Sequence, residues 1–264
     1  MNNLNQAASP SPPRRQMVLL SQDGLTYLRW QHPLIVVWWS AAFPGFGHFL
    51  LHQHFRGFFL SLWEVLINRL THINEATVYS FSGRFELAKE VLDPRWLFAY
   101  MFVYLFAIWD SYLGATEANK LHHMAVLENA RITPYAIRPL CISTISLRRP
   151  WAAMISSCIL PGLGQLYNHR LTLGFYGVFW WMIYMTLSHS HQALLYLFHG
   201  KITEATQILN LQWLLFMPSV IGGAMYDAYM TTLDHNRLFR LEQRQFFGER
   251  YPQFQLDLFS DTEG

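Results

Sequence analysis

Two aspartates stand out as residues whose type and position could support chemistry. Asp110 and Asp227 each lie near one end of a long apolar segment, at corresponding positions in two similar parts of the chain. An ionisable side chain within a membrane is costly and is therefore usually functional. Two facing carboxylates could carry protons or a cation. The structural alternative, which we favour, places each carboxylate at the membrane interface, where it accepts hydrogen bonds from backbone donors at a turn.

Histidines form a second group of candidates. His72 and His189 also correspond to each other, and both are candidate polar or ion-path residues. Three further histidines lie close enough in sequence to bind a metal ion: His48, His52 and His54. The matching stretch of the second part keeps only His169. We therefore predict histidines beside lipid headgroups rather than a metal site.

The sequence contains none of the short motifs of common enzyme classes. It has no zinc-protease HExxH, no GxSxG nucleophile motif and no phosphate-binding glycine loop. The two cysteines, Cys141 and Cys158, provide no disulfide framework. We predict that the protein is not an enzyme and needs no cofactor.

The composition indicates a protein of the lipid bilayer. Of the 264 residues, 52% are hydrophobic, 16% are aromatic and only 14% are charged, whereas a soluble domain carries about 25% charged residues. A net charge of +2 is too small to indicate a nucleic-acid partner. Residues 1–32 lack a secretory signal, and arginines precede the first apolar run. We predict a cell-membrane protein with a cytoplasmic N-terminus.

An internal duplication organises the chain. Residues 33–121 align without gaps on residues 150–238, and 25 of the 89 aligned pairs are identical. Self-similarity of this length predicts two units of the same architecture. The predicted organisation is an N-terminal cytoplasmic tail, a first membrane repeat, a linker, a second membrane repeat and a C-terminal tail: 1–32, 33–121, 122–149, 150–238 and 239–264.

Each repeat contains three apolar segments, which predict an all-α integral membrane fold with four to six spanning helices. The segments of the first repeat are 33–51, 57–67 and 96–115, and those of the second are 150–167, 174–187 and 213–232. The stretch 85–92 has the pattern of a short amphipathic helix on the membrane surface. After each third segment, the sequence predicts that the helix continues into water.

The first apolar segment of each repeat is interrupted by a proline and glycines. Such residues break a helix, and in a membrane the freed backbone groups must bond within the protein. We predict a structural turn: a helix end and a tight hairpin in which the glycines allow close contact. The alternative is a broken helix that lines a substrate site. The turn residues are Pro44, Gly45, Gly47, Gly57, Pro161, Gly162, Gly164 and Gly174.

These turn residues resemble the TM-two domain, a module of two membrane helices joined by a short loop. The run PGLGQLY at 161–167 is the closer match, whereas the first copy departs from the pattern with His48 for glutamine and Leu50 for tyrosine. The resemblance covers about 35 residues of each repeat. It implies an integral membrane location, and the family carries no established catalytic residues.

Two topologies are open. If all three segments of a repeat span the membrane, the two copies are inverted, as in many transporters. If the Pro-Gly segment enters and returns, each repeat crosses twice and the copies are parallel. The second arrangement places more of the 19 lysines and arginines on the side of the N-terminus, as the positive-inside rule favours. The resemblance favours the first.

Two functions follow from these observations. The first is a non-enzymatic scaffold or interaction module, whose main partner is the lipid bilayer and whose C-terminal tail could dock a protein. The second is a small transporter or channel with a path at the repeat interface, which would use Asp110 and Asp227. An experiment can separate the two functions. A transporter or channel would have inverted repeats and would lose ion flux when either aspartate is replaced by asparagine.

Overall fold

The computed structural model describes residues 13–21, 24–128, 130–133, 135–137 and 142–251. These residues are mainly helical, which confirms the predicted all-α class. Two short antiparallel β-hairpins, which the apolar pattern does not predict, flank the helices of the first half. Cys141 and residues 252–264 of the C-terminal tail lie outside the described residues.

The first half consists of one hairpin and six helices. The strands are β1 Val18–Ser21 and β2 Gly24–Tyr27, and the helices are α1 Pro33–Ala42, α2 Phe46–Leu50, α3 His54–Thr71, α4 Ile73–Phe81, α5 Phe85–Val91 and α6 Pro94–Glu128. α5 coincides with the predicted amphipathic helix. α6 continues well beyond the apolar segment, as predicted.

The second half begins with another hairpin and contains seven helices. Its elements are β3 Tyr135–Ile137, β4 Ile142–Thr144, α7 Pro150–Ile159, α8 Leu163–Tyr167, α9 Leu171–Leu187, α10 Ser190–Phe198, α11 Ile202–Ile208, α12 Leu211–Leu214 and α13 Phe216–Arg250. α7 to α12 each begin at the residue that the sequence alignment pairs with the first residue of α1 to α6.

One difference between the halves is a break in the last helix. α6 is continuous, whereas its counterpart is divided at Leu215 into α12 and α13. Pro218 explains the break, because proline has no N–H to donate to the carbonyl of Leu214 and its ring collides with that carbonyl. The first half has Met101 at this position, and its long helix is continuous.

The Pro-Gly turn has the same backbone conformation in both halves. α1 ends at Ala42, and Phe43 is extended, as the residue before a proline prefers. Gly45 then has φ of 103°, in the left-handed region that glycine occupies at little cost. In the second half Leu160 is extended and Gly162 has φ of 107°. The turn is therefore encoded locally by proline followed by glycine.

Two hydrophobic cores hold the elements together. One joins both halves and contains Phe43, Val65, Tyr184, Phe216 and Val220. The other lies beside the hairpins and contains Leu25, Tyr27, Ile132, Ile145 and Leu238. Burial raises the pKa of the Tyr27 phenol in this second core. The two β-hairpins are thus packed against the C-terminal part of α13.

By length and composition, one described helix, α6, could cross a membrane. The number rises to three if each of two bent helix combinations counts as one span. These are α9 with α10, bent by 64°, and α11 with α12 and α13, bent by 85°. α1 and α7 are apolar but have only 10 residues each, which is about half the length that a spanning helix needs.

Candidate functional site

Each Pro-Gly segment folds back on itself. The side chain of Gln31, just before α1, donates from Nε2 to the carbonyl oxygen of Leu50 at the end of α2, at 2.7 Å. In the second half, Nη1 of Arg148 donates to the carbonyl oxygen of Tyr167 at 2.8 Å. The beginning and the end of each segment therefore lie close together, so that α1 with α2, and α7 with α8, form helical hairpins.

Small residues allow the two arms of each hairpin to touch. A β-carbon added to Gly47 would lie 2.5 Å from the carbonyl oxygen of Val36, and one added to Gly164 would lie 2.3 Å from that of Ala153. The second arm is thus in backbone contact with the middle of the first arm. Glycine is required here because of this close approach, and not because of its φ angle.

An asparagine on each long helix holds the base of the neighbouring hairpin. Asn119 on α6 accepts from the backbone N of Gln31 at 2.8 Å and donates to its carbonyl oxygen at 2.7 Å. Asn236 on α13 makes the same two bonds with Arg148, at 2.8 and 2.9 Å. A two-bond contact of this kind fixes both the position and the direction of the entering chain.

The predicted aspartates bond to the hairpins, each within its own half. Asp110 Oδ2 lies 3.0 Å from Nε2 of His48 and 3.2 Å from Nη1 of Arg56. Asp227 Oδ2 accepts from Nε2 of Gln165 at 3.0 Å. His48 and Gln165 are aligned residues of the two halves. A polar residue on the second arm therefore meets the aspartate of the long helix in both cases.

The two aspartates differ in the cation that balances them. Arg56, on the outer surface, has a side chain that is 59% exposed, whereas Arg170 has a side chain that is 2% exposed. Nη1 of Arg170 lies 2.6 Å from Oδ1 of Asp227 and also donates to Thr231 at 3.1 Å. The pair in the second half is consequently a buried ion pair, and that in the first half is not.

The other predicted polar residues lie at the opposite end of α3 and α9. His72 follows α3 and His189 precedes α10, and both have φ of 57°. Nδ1 of His72 is 3.6 Å from a carboxylate oxygen of Glu75. His72 is about 24 Å from Arg56 along the axis of α3. The structure thus does not bring the histidine pair to the aspartates.

Within the described ranges, no three histidine, cysteine, aspartate or glutamate side chains are grouped so that they could hold a metal ion. His48 of the three neighbouring histidines bonds to Asp110. His52 is instead the residue with positive φ, 58°, in the turn after α2. His169 has the same role in the second half, with φ of 59°.

A buried amide group joins the halves at the far end, which sequence reasoning missed. Gln212 on α12 donates from Nε2 to the backbone oxygen of Asn68 at 2.8 Å and to its side-chain oxygen at 2.6 Å. Its own Oε1 accepts from the backbone N of Glu75 at 3.0 Å. Nδ2 of Asn68 donates to Glu64 at 3.1 Å. The amides satisfy one another inside an apolar region, so they fix the register of α12 against α3 and α4.

A cavity lies between the two halves, with a volume of about 630 Å³ when the space open to the surroundings is counted. Trp39 and Phe46 of the first hairpin form one side, and Tyr176 and Trp180 of α9 form another. Asp227 and Gln165 provide polar atoms at its wall. Asp110 lines a different space, an outer groove between α3 and α6 of about 840 Å³. The two aspartates thus face separate cavities.

Of the partners of Asp227, Gln165 could have been found from the sequence and Arg170 could not. Gln165 lies within the turn motif and is aligned with another polar residue, His48, which is a detectable signal. Arg170 is aligned with Gln53, so the duplication does not mark it. The aromatic wall combines residues from both halves and leaves no pattern in either.

Comparison of the chain with known protein families, with curated proteins and with solved structures finds no match.

Proposed function

We propose that the chain is an integral membrane protein with four spanning helices, made of two duplicated units in parallel orientation. Each unit consists of a Pro-Gly hairpin that enters the bilayer and returns, followed by two spans. The spans are α3 and α6 in the first unit, and α9 and α13 in the second. The equal helix starts of the two halves support the duplication.

The hairpin contact is the observation that carries this topology. Because Gln31 bonds to Leu50 across the base of the hairpin, the chain enters α3 on the same side as it entered α1. At the other end, the backbone N of Asp93 donates to the carbonyl oxygen of Thr71 at 3.2 Å, so α6 starts where α3 ends. Each unit therefore crosses an even number of times, which gives parallel copies.

Exposed apolar side chains support the lipid environment. Along the first part of α6, large apolar residues point away from the protein: Phe98, Phe102, Leu105, Phe106 and Trp109. A helix with an apolar outer face of this extent would associate or aggregate in water. In a bilayer the same face is solvated by acyl chains, and no additional partner is needed.

The proposed role is a non-enzymatic scaffold or interaction module. α6 and α13 continue past the bases of the Pro-Gly hairpins. Together with the two β-hairpins and the core around Tyr27, these helix extensions form a region on the water side. This side also carries the arginines of the N-tail and of α13, so we assign it to the cytoplasm. The C-terminal tail follows α13 and would present a docking segment to a protein partner there.

The transporter alternative receives less support from the geometry. Its ion path required Asp110 and Asp227 to face each other. Instead, each aspartate has an arginine at hydrogen-bond distance, and the two line different cavities. A carboxylate that is already balanced by a cation offers little attraction to a second cation.

Labelling of single cysteines tests the topology. In a Cys141→Ser/Cys158→Ser background, Gln16→Cys, Thr144→Cys and Gly248→Cys report the proposed cytoplasmic side. Ser82→Cys and Thr203→Cys, which are exposed in α4–α5 and α11, report the other side. With an impermeant maleimide on intact cells, we expect only the last two to react.

The result can contradict the proposal in a defined way. If Ser82→Cys and Thr203→Cys react from opposite sides of the membrane, the units are inverted, each Pro-Gly segment spans, and the transporter alternative gains. Permeabilised cells, in which all five variants should react, control for accessibility.

A further inference from the structure

The first Pro-Gly hairpin lies in a groove of the second half. The ring centroid of Phe49 is 5.7 Å from that of Tyr176 on α9. Phe46 packs directly on Gly223 of α13, because a β-carbon at Gly223 would collide with its ring. The groove between α9 and α13 is thus covered by the hairpin of α1 and α2.

The corresponding groove of the first half, between α3 and α6, is open. Seven of the eight residues that line it align with residues that line the cavity between the halves. Among the described residues, however, its lining comes from α3 and α6 alone. Free space that a water molecule could occupy amounts to about 400 Å³ in this groove and to about 70 Å³ in the cavity, which the first hairpin fills. The first half therefore offers an unfilled copy of the docking groove.

The hairpin of the second half, α7 with α8, lacks a matching cover. Leu50 of the first hairpin lines the cavity and is 6% exposed, whereas its counterpart Tyr167 is 40% exposed. Leu163, the counterpart of Phe46, is also exposed. Over its described residues, one chain thus has both a free hairpin surface and a free groove.

Side-chain sizes suit the free hairpin to the free groove. In the filled groove, the large ring of Phe46 on the hairpin meets Gly223 on the long helix. At the corresponding positions, the free hairpin has the smaller Leu163 and the free groove has the larger Phe106. The larger member of the pair has therefore moved from the hairpin to the groove.

A neighbouring contact shows the same exchange. The ring of Trp39 lies 3.6 Å from the position of a β-carbon on Gly222. The free surfaces have Ser156 on the hairpin and Leu105 on α6 instead. Exposure to lipid alone would account for a large apolar residue on α6, but it gives no reason for a small polar residue on α7. Close packing of the two surfaces accounts for both.

We infer that the groove between α3 and α6 binds the α7–α8 hairpin of a second copy of the chain. This contact repeats the one that the α1–α2 hairpin makes with the groove between α9 and α13. It joins two different surfaces, so copies add in one direction until a ring closes. The inference rests on the proposed function, because parallel units place the hairpin and the groove at the same depth of one bilayer. In a separate chain, acyl chains fill the groove and are displaced on association.

Energy transfer between full-length chains tests the association. Gly248→Cys in the Cys141→Ser/Cys158→Ser background carries either a donor or an acceptor dye, and the two populations are mixed in phosphatidylcholine vesicles. We expect transfer that decreases as lipid is added, because dilution separates copies that associate reversibly. Transfer no greater than that of a monomeric membrane protein at the same density overturns the inference.

Two substitutions and their combination locate the contact. Leu163→Phe adds bulk against Phe106, and Phe106→Gly leaves a void opposite Leu163, so each should weaken association about tenfold. The double variant recreates the pair formed by Phe46 and Gly223, and we expect it to regain most of the wild-type association. A variant that had merely lost its fold would show no such rescue.

The control variants make the same kinds of change outside the contact. Ile155→Phe lies on α7 at the counterpart of Trp38, which is 68% exposed and therefore faces away from the filled groove. Phe102→Gly changes an exposed phenylalanine of α6 outside the free groove. Both should associate as the wild type does.

The outcomes separate this inference from its basis. If Leu163→Phe weakens association no more than Ile155→Phe, or if the double variant shows no rescue, the copies meet elsewhere and the inference is wrong. Failure of the parallel topology appears instead in the labelling of Ser82→Cys and Thr203→Cys, which does not depend on association.

Discussion

Replacement of Gly45 by alanine tests whether the Pro-Gly turn is as tightly packed as the structure indicates. A β-carbon at Gly45 would lie 2.5 Å from the carbonyl oxygen of Gly57 and 2.5 Å from Oγ of Ser61. The hydroxyl can rotate away, but the carbonyl belongs to the backbone of α3. Relief of this contact requires the hairpin to move away from α3 as a unit.

The expected loss of stability has two parts. The left-handed φ costs an alanine about 1–2 kcal/mol, and overpacking against a fixed backbone adds about 1–3 kcal/mol. Gly83 provides the matched control, because its φ is 73° and nothing lies within 4 Å of the added β-carbon. Gly83→Ala therefore carries the first part alone. The difference between the two variants isolates the contact of the hairpin with α3.

Thermal unfolding of the full chain in mild detergent, followed by circular dichroism, measures this difference. For a chain of this size each 1 kcal/mol lowers Tm by about 2–4 °C. Gly45→Ala should consequently melt several degrees below Gly83→Ala, and Gly162→Ala should behave like Gly45→Ala. Equal melting temperatures for Gly45→Ala and Gly83→Ala would refute the close approach of the turn to α3.

Two further predictions concern buried polar groups and use unfolding in a titration with sodium dodecyl sulfate. Asp227→Asn leaves the buried Arg170 without its counter-ion and should lower the free energy of unfolding by about 3–5 kcal/mol. Asp110→Asn, next to the exposed Arg56, should lower it by about 1 kcal/mol or less. Similar losses of stability in the two variants would contradict the difference in burial. Gln212→Ala leaves the amide group on α3 without its partner and should cost about 1–3 kcal/mol. Gln207→Ala, at an exposed glutamine of α11, should change stability by less than about 0.5 kcal/mol. No difference between these two glutamine variants would show that the far-end contact is absent.

The sequence predicts most helices of this fold because it presents each of them twice. Proline and glycine at 44–45 and again at 161–162 indicate a turn whose conformation depends on those two residues alone. The position of the break before α13 is harder to predict, because the apolar pattern continues through Pro218. The proline marks the break locally, but the length of the segment is also that of a single span.

The candidate site was less accessible to sequence reasoning. Asp110 and Asp227 attract attention as charges in apolar segments, but their partners lie more than 50 residues away along the chain. Whether such a carboxylate faces an ion path or an arginine depends on how the hairpin docks on the long helix. The hairpin that docks is itself shaped by close backbone contacts at Gly47 and Gly164, and glycines do not reveal which surface will approach them.

The fusion of two similar units has a consequence for how such a protein can specialise. A single unit could form a similar assembly only by pairing with further copies of itself, and all of these copies would then change together with every mutation. In one chain, the position of Arg170 carries a cation in the second unit while the first unit keeps a neutral glutamine, Gln53. Joining the copies therefore allows a buried ion pair to evolve in one unit without a duplicate of it in the other, and natural selection can act on each half of the molecule separately.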